Sequence, residues 1–299
     1  MVKELKERFG IGDKLSFELD EHGMDRAVIE TADVQAKIYL NGAHITEFTP
    51  AGHRPLLFLS SKSNFTRGKA IRGGIPIIFP WFGAKAGDPS APMHGFARTA
   101  QWKIDNTSLF EDTVVSIDFS LDAANQIHLR YSVMIASGLR VELAVHNRSE
   151  HPFTFEEALH NYLAVSDVRN VSITGLESSE FIDKTDSMNR KTSPPHPLRL
   201  ESETDRVYVN TTAWCRIYDS DWERRITLRK SNSSTTVVWN PWIETARKMT
   251  DLAAEEWKSM LCIETANAAD NAITLNPGDE HRMALSITAS PQSPSSPPP

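Results

Sequence analysis

The sequence predicts an all-β protein, a large antiparallel β-sandwich with few short helices. Three successive segments, Val115–Leu121, Ile127–Ile135 and Leu139–Val145, alternate apolar and polar residues with a period of two. This is the pattern of strands with one buried face. The links between them are short and turn-like, which favours an antiparallel meander. No regular alternation of helices and strands is visible, and this argues against a doubly wound nucleotide-binding fold.

Further strands are predicted on both sides of the meander, whereas helical patterns are few. Val2–Phe9 is predicted to form a short helix. Thr250–Trp257 is predicted to form another, with Thr250 as N-cap and the acidic Asp251 in its first turn. A strand-rich chain of this kind indicates two large packed sheets. The additional strand candidates are Val34–Leu40, His44–Phe48, Val171–Thr174, Ile226–Lys230, Thr235–Trp239, Leu261–Glu264 and Met283–Thr288.

The length of 299 residues fits either two domains or one large sandwich. No linker is visible between residues 10 and 289, so we expect one sandwich domain over residues 1–289. Residues 290–299 contain only Ser, Pro and Gln. Because such a segment has no apolar surface to bury, we expect it to be a disordered tail.

The composition argues against several classes of partner. The 32 basic and 39 acidic residues give a net charge of −7, whereas nucleic-acid binding needs a concentrated basic surface. No apolar run reaches the roughly 18 residues of a membrane helix, and the charged N-terminus has no signal-peptide core. Cys215 and Cys262 lie in apolar stretches and are expected to be buried free thiols. We expect a cytoplasmic monomer with neither nucleic-acid nor membrane partners.

The first candidate for chemistry is the apolar segment Ala70–Gly83, in which Arg72 precedes Gly73 and Gly74. The two glycines allow a sharp turn of the backbone beside the guanidinium. Aromatic rings near a guanidinium suit a sugar and an anion. The alternative, an apolar crossover with a solvated arginine, is favoured somewhat by these residues alone.

A second candidate is the loop Met93–Arg98. His94 stands beside Gly95, where the backbone can approach a ligand closely, and Arg98 supplies another forked cation. A histidine next to a glycine is also common as a purely structural arrangement. The sequence leaves both interpretations open.

Two further residues are candidates for proton transfer. His160 lies in or beside an extended apolar segment, where a core or surface histidine is the alternative. Glu264 ends the hydrophobic run that begins at Leu261. Its carboxylate could therefore be partly desolvated, a costly arrangement that often marks a functional site. An exposed glutamate at a strand end explains the same pattern equally well.

Sequence motifs for metal, nucleotide or covalent chemistry are missing. The ten histidines are scattered, without an H-x-x-x-H pair, and the cysteines form no C-x-x-C pair. There is no P-loop, no G-x-G-x-x-G and no G-x-S-x-G nucleophile elbow. We therefore expect neither a metal nor a cofactor, and no acyl-enzyme chemistry.

Several motifs, taken in order, resemble those of the aldose 1-epimerase superfamily. Within it they are most similar to the glucose-6-phosphate 1-epimerases, also called hexose-6-phosphate mutarotases. The resemblance covers most of the chain from about residue 30 to residue 288, and it rests on the order and number of the motifs. They are Ile71–Pro76, Phe79–Gly83, His94–Arg98 with Trp102, His160–Asp167, Thr204–Tyr208, Val237–Trp242, Cys262–Thr265 and Leu275–Gly278.

The resemblance implies a sandwich of the galactose mutarotase type and an isomerase that needs no cofactor. It implies that His160 is the general acid and Glu264 the general base. In such a reaction a proton leaves the anomeric hydroxyl and another reaches the ring oxygen, so that the ring opens to the aldehyde. Rotation about C1–C2 and reclosure then give the other anomer.

The resemblance also implies a set of substrate-binding residues. His94 would hold the sugar ring, Asp205 would bind sugar hydroxyls, and Arg72 and Arg98 would favour the phosphorylated sugar. Two forked cations suit a phosphate, so the expected partner is a hexose 6-phosphate. Met93 stands where some relatives carry Gln, which removes one expected side-chain hydrogen bond to the substrate.

Three functions from different classes remain open. The chain could be a phosphosugar mutarotase, a free-aldose 1-epimerase, or a non-catalytic sugar-binding or regulatory protein on the same fold. Arg72 and Arg98 favour the first over the second, and the presence of both His160 and Glu264 disfavours the third. The sequence does not specify which hexose phosphate is preferred.

Overall fold

The computed structural model describes residues 2–292, and strands dominate it. The helices are α1 (Val2–Phe9) and α2 (Trp242–Lys248). The first eleven strands are β1 (Leu15–Leu19), β2 (Asp25–Glu30), β3 (Val34–Tyr39), β4 (His44–Pro50), β5 (Ile77–Ile78), β6 (Lys103–Phe110), β7 (Val114–Asp122), β8 (Ile127–Ile135), β9 (Leu139–Asn147), β10 (Phe153–Phe155) and β11 (Glu157–Leu159). The others are β12 (Tyr162–Ala164), β13 (Val171–Thr174), β14 (Glu180–Asp183), β15 (Asn189–Thr192), β16 (Thr204–Tyr208), β17 (Cys215–Asp219), β18 (Arg224–Ser231), β19 (Thr235–Asn240), β20 (Met260–Asn267), β21 (Ile273–Leu275) and β22 (Glu280–Pro291).

Two eight-stranded sheets form the body of the fold. Sheet I has the order β15-β14-β16-β19-β20-β11-β5, and β12 also pairs with β20. Sheet II has the order β13-β17-β18-β22-β9-β8-β7-β6. Strands β1 to β4 form a separate antiparallel sheet, and β10 pairs with β21. All the strand pairs within sheets I and II are antiparallel, so the predicted fold class is confirmed.

The predicted meander is present as β7, β8 and β9 of sheet II. Val115 pairs with Ile135, and Ile135 with Leu139. The apolar residues of each strand point to one face because successive side chains alternate across a sheet. That face is buried, as the period of two predicts. Cys215 and Cys262 are buried free thiols, also as predicted. Within residues 2–292, neither helix is long and apolar enough to cross a membrane.

The main hydrophobic core runs from Phe9 to Ile287 and draws side chains from both large sheets. A separate apolar cluster lies on sheet I and contains Ile182, Val207 and Val237. These three residues are register partners on β14, β16 and β19, so they share one face of sheet I. We call the face that these three side chains share the far face of sheet I.

The helix predicted over Thr250–Trp257 is wrong. The segment forms turns that end in a 3₁₀ turn at Glu256–Ser259. Glu256 Oε2 accepts a hydrogen bond from the Ala253 backbone N at 2.9 Å. The Asp251 carboxylate bonds the Arg72 guanidinium instead of lying in a first helical turn. A side chain that accepts from a nearby backbone N–H, as Glu256 does, competes with the hydrogen bonds of a helix.

The tail boundary predicted at residue 290 is too early. Ser290 pairs with Arg225 and Pro291 with Arg224 in sheet II, and the Gln292 backbone N donates to Glu223 O at 2.7 Å. These residues gain backbone hydrogen bonds that need no apolar side chain, which the composition argument did not consider. Residues 293–299 lie outside the described residues, so the expectation for them stays a prediction.

Candidate active site

The two candidate proton-transfer residues face each other across β20. Leu159 pairs with Thr265 and Tyr162 pairs with Cys262. The same antiparallel register, continued between these two pairs, places His160 opposite Glu264. His160 Nε2 lies 3.2 Å from Glu264 Oε1.

Both residues of this pair are buried, although neither belongs to an apolar cluster. His160 is 7% exposed and Glu264 is 2% exposed. The His160 backbone N donates to Pro76 O at 3.1 Å, which ties the residue to the apolar crossover before β5. Val237 is the register partner of Glu264 on β19. Glu264 and His160 therefore stand on the far face of sheet I.

Burial opposes a charge on either member of this pair. It lowers the pKa of His160 well below its usual range, and the positive charges around the ring act in the same direction. Burial raises the pKa of Glu264 well above its usual range, and the Asp205 carboxylate adds to the rise. The pair therefore favours one shared proton, as a carboxyl group and a neutral imidazole. The ionic form, carboxylate and imidazolium, contains the same number of protons and differs by one transfer along the contact.

His94 lies beside the pair, with its ring centroid 5.9 Å from that of His160. The Gly83 backbone N donates to His94 Nδ1 at 3.2 Å, so the proton of the neutral ring is on Nε2. Burial, followed by the charges of Arg98, Lys184 and Arg72, lowers the pKa of His94 to about 3. The ring is therefore a neutral hydrogen-bond donor through Nε2.

The backbone beside His94 explains the glycine that follows it. Gly95 has φ +71°, and a Cβ there would lie 1.9 Å from the Phe79 carbonyl oxygen. Only glycine permits such a close approach in the left-handed region. The Phe96 backbone N also donates to Phe79 O, at 3.0 Å. The turn thus holds the His94 loop against the end of the apolar crossover.

Arg72 is fixed by two partners. Its Nε lies 3.2 Å and its Nη2 3.0 Å from Asp251 Oδ2, and its Nη1 donates to Tyr162 Oη at 2.7 Å. The Tyr162 ring stacks on the His160 ring, with centroids 4.6 Å apart and an interplanar angle of 6°. Tyr162 therefore links the guanidinium to the imidazole, and the solvated arginine considered from the sequence is not what the fold contains.

Arg98 is held by the backbone of its own loop. Its Nη2 donates to the Met93 carbonyl O at 2.6 Å, while the Met93 side chain is 51% exposed. Its buried Nε has no hydrogen-bond partner among residues 2–292. The charge of Arg98 is close enough to influence the pKa values of His94, His160 and Glu264. Arg98 therefore belongs to the same group of side chains.

Asp205 completes the set of residues expected from the sequence. It is on β16 and pairs in register with Trp239 of β19, two positions from the partner of Glu264. Asp205 thus shares the far face of sheet I with the catalytic candidates. Its Oδ2 lies 2.7 Å from Lys184 Nζ. Among the described residues, no group of three or more His, Cys, Asp or Glu side chains could hold a metal ion.

Four side chains of this site were not expected from the sequence. Tyr162 and Asp251 position Arg72, Trp239 meets the His160 ring edge-on at 6.0 Å, and Lys184 contacts Asp205. Tyr162 carried a usable signal, because residues two apart in an extended segment share a face. The other three are brought to the site by strand pairing and a turn, which no local pattern indicates.

Comparison with known proteins identifies the relatives of this chain. The model of the family described as aldose 1-epimerase matches residues 25–288. A Cenchrus ciliaris protein named "Putative glucose-6-phosphate 1-epimerase" is 33% identical over 292 residues, with 91% of this chain and 86% of that protein covered. An Escherichia coli K12 protein of the same name is 31% identical over 260 residues, with 84% and 85% covered.

A solved structure agrees with these relationships. The crystal structure of a "putative mutarotase" from Salmonella typhimurium superposes with a TM-score of 0.88 at 28% identity. The superposition covers 95% of this chain and 96% of that chain. Fold and site together define an isomerase of the epimerase type, built on a galactose mutarotase-like sandwich. The chain belongs to the aldose 1-epimerase family, and the resemblance found in the sequence is confirmed.

Proposed function

We propose that this chain is a hexose-6-phosphate 1-epimerase that interconverts the α and β anomers of glucose 6-phosphate. The observation that carries the proposal is the 3.2 Å contact between His160 Nε2 and Glu264 Oε1, with the charges of Arg72 and Arg98 near enough to lower the pKa of His160. The names of the two curated relatives, which specify glucose 6-phosphate, support the same substrate.

In the proposed reaction, Glu264 is the general base and His160 the general acid. The carboxylate removes the proton from the anomeric hydroxyl, and C1 becomes a carbonyl carbon as the C1–O5 bond breaks. The imidazolium delivers its proton to O5. After rotation about C1–C2, the imidazole takes the proton back from the O5 hydroxyl as O5 attacks C1, and the carboxyl group returns its proton to the carbonyl oxygen. Positioned proton transfer of this kind accelerates a reaction by about 10²- to 10⁴-fold.

The electrostatics of the pair favour ring opening. The step converts carboxylate and imidazolium into a carboxyl group and a neutral imidazole. Burial favours that neutral form because it raises the pKa of Glu264 and lowers that of His160. The same side-chain protonation state thus occurs in the ligand-free site and after ring opening. The total number of protons on the pair stays at one throughout the cycle.

The remaining residues have proposed roles in binding. Arg72 has five N–H groups, of which three are directed at Asp251 and Tyr162, so two are left for a phosphate. Arg98 supplies further donors, and forked charge-assisted bonds suit phosphate oxygens. The Nε2–H of His94 is a donor for a sugar oxygen. Asp205, on the same sheet face as Glu264, accepts hydrogen bonds from sugar hydroxyls.

The test is a direct measurement of anomer exchange. Magnetisation transfer between the two anomeric proton resonances gives the exchange rate for glucose 6-phosphate and for glucose, after subtraction of the reaction in buffer. We expect the chain to accelerate exchange of the phosphorylated sugar more. An equal or larger effect on glucose would identify a free-aldose 1-epimerase. Binding of either sugar without acceleration would identify a non-catalytic sugar-binding protein.

A further inference from the structure

Lys184 is held in a fixed turn at the edge of the proposed sugar site. It opens a 3₁₀ turn directly after β14, and the Asp183 carboxylate caps this turn. Asp183 Oδ1 accepts hydrogen bonds from the Thr185 N at 3.1 Å and Oγ1 at 2.6 Å. Asp183 Oδ2 lies 2.7 Å from Lys191 Nζ. The two bonds from Thr185 set the direction in which the turn presents its first side chain, whereas Lys191 lies on the other carboxylate oxygen.

The Lys184 ammonium group lies among residues of the site. Its Nζ is 2.7 Å from Asp205 Oδ2 and 5.7 Å from the centroid of the Phe82 ring. Phe82 also meets the His94 ring edge-on, with centroids 5.1 Å apart. An aromatic face and a carboxylate thus fix the cation between the proposed ring-binding histidine and the proposed hydroxyl-binding aspartate.

We infer that Lys184 is a further sugar-binding side chain. It donates a hydrogen bond to the same ring hydroxyl from which Asp205 accepts one. The inference rests on the proposed function and names a residue that recognises the sugar ring rather than the phosphate. An ammonium group has three donors and no acceptor. The contact with Asp205 uses one of them, and the other two are available to a ligand.

The chemistry of a hydroxyl group matches this pair. A sugar hydroxyl donates one hydrogen bond and accepts up to two. A carboxylate beside an ammonium group satisfies both capacities at once, which neither residue does alone. A sugar that lacks this hydroxyl would leave both Lys184 and Asp205 without a ligand partner. The pair therefore selects for sugars that have the hydroxyl.

Lys184 also balances charge around the catalytic candidates. Burial and the Asp205 carboxylate raise the pKa of Glu264, and the charges of Lys184 and Arg98 oppose the rise. His160 is in contact with Glu264, and the charge of Glu264 also raises the pKa values of Tyr162 and Cys262. Removal of the Lys184 charge stabilises the protonated carboxyl group of Glu264 relative to its carboxylate. Loss of Lys184 should therefore shift the ionisation of Glu264, and with it the alkaline limb of the pH profile, to higher pH.

The test is the variant Lys184→Met, assayed for exchange of glucose 6-phosphate and of glucose. We expect kcat/KM to fall by about 10- to 100-fold on both sugars by similar factors, because both present the same ring hydroxyls. Arg98→Ala should instead lose mainly the activity on the phosphorylated sugar. Lys184→Arg keeps the charge, so it should retain the pH window of the unmodified chain.

Lys191→Met is the matched control, since it removes the cation that contacts Asp183 and Asp186 in the same turn. It should leave both activities and the pH window unchanged. The inference is wrong if Lys184→Met behaves like the unmodified chain, or if Lys191→Met loses as much activity.

Failure of the proposed function is a separate outcome. In that case the unmodified chain accelerates neither exchange, and calorimetric titration with both sugars replaces the kinetic assay. Weaker binding of both sugars by Lys184→Met would still support the inference. Equal affinities for the variant and the unmodified chain would overturn it.

Discussion

Asn161 and Ile263 exchange two hydrogen bonds at the centre of the site. The Asn161 side-chain Nδ2 donates to Ile263 O at 2.8 Å, and the Ile263 backbone N donates to Asn161 O at 3.3 Å. His160 precedes Asn161 and Glu264 follows Ile263 in the chain. This double contact therefore fixes the backbone on both sides of the proposed acid–base pair.

Loss of the Asn161 amide should impair positioning more than binding. In Asn161→Ala the Ile263 carbonyl loses a buried donor, which should lower the free energy of unfolding by about 1–3 kcal/mol. We expect kcat to fall while KM changes little, because the residues that bind the sugar stay in place. Steady-state exchange kinetics and thermal unfolding measure the two effects. A rise in KM at constant kcat would contradict the positioning role.

Removal of either proton-transfer group should leave a folded protein with slow exchange. Glu264→Gln and His160→Ala should each lower kcat by about 10²- to 10⁴-fold. Glu264→Gln keeps the shape of the side chain and also tests the charge. Unfolding curves of both variants serve as the control for folding. A well-folded variant with near-normal exchange would exclude that residue from the mechanism.

The two arginines should discriminate between phosphorylated and free sugar. A charge-assisted hydrogen bond contributes about 1.5–3 kcal/mol, so Arg98→Ala should raise KM for glucose 6-phosphate by about 10- to 150-fold. Arg72→Ala should have a similar effect. The activity on glucose should change far less. Equal losses on the two sugars would mean that the arginines hold the ring or the fold.

Tyr162→Phe is the control for the Arg72 variant. It removes the hydroxyl that accepts from Arg72 Nη1 at 2.7 Å and leaves the ring that stacks on His160. The guanidinium keeps its contact with Asp251. We therefore expect a smaller rise in KM than in Arg72→Ala.

The pH dependence of kcat/KM should be bell-shaped. The histidine should set its acid limb and the glutamate its alkaline limb, the opposite of the order of their usual pKa values. Burial lowers the pKa of His160 and raises that of Glu264. The active pair has one proton, so the acid limb reports protonation of His160, below the usual value of about 6.5. The alkaline limb reports ionisation of Glu264, well above the usual carboxyl value of about 4.3. A flat profile after subtraction of the buffer reaction would contradict the assigned roles.

A second pair, formed by a buried glutamate and a partly exposed histidine, should make stability depend on pH. His281 Nε2 lies 3.0 Å from Oε1 of the fully buried Glu157. Burial of the ring opposes protonation, but the hydrogen bond and charge of Glu157 outweigh it and raise the pKa of His281. Because the pKa in the folded state lies above the unfolded value of about 6.5, this stabilisation is complete below that pH. It is lost as the pH rises through the folded-state pKa.

The variant His281→Leu tests this linkage. It leaves Glu157 with one of its two partners, the Asn267 amide at 2.9 Å, and should lower the free energy of unfolding by about 1–3 kcal/mol at pH 6. The difference in the free energy of unfolding between the variant and the unmodified chain should become smaller as the pH rises. Denaturant unfolding at several pH values measures it, and a difference that grows with pH would refute the argument.

The sheets could be predicted from the sequence wherever one face is buried and the other is polar. The meander strands are correct to within a residue or two because alternation is a local signal. The helix expected at Thr250–Trp257 failed since its acidic side chains bond distant or local donors instead. Tertiary partners of this kind are invisible in a local pattern.

The site was predictable in part. His160 and Glu264 are in contact, and His94 lies beside them. Lys184 and Asp251 could not be found, because a turn and an irregular segment bring them to residues far away in the chain. The roles of these residues, the single domain, the monomeric state and the cytoplasmic location stay predictions.

The bond between Asn161 and Ile263 joins positions 102 residues apart. Its formation closes a long loop, an entropically costly step that usually occurs after local hairpins have formed. The reacting groups therefore come together only when this distant closure is complete. During refolding, anomer exchange should return later than the far-ultraviolet signal of the strands. Recovery of catalysis would then mark the formation of the native topology. The far-ultraviolet signal cannot make this distinction, because intermediates with the same strands give a similar signal.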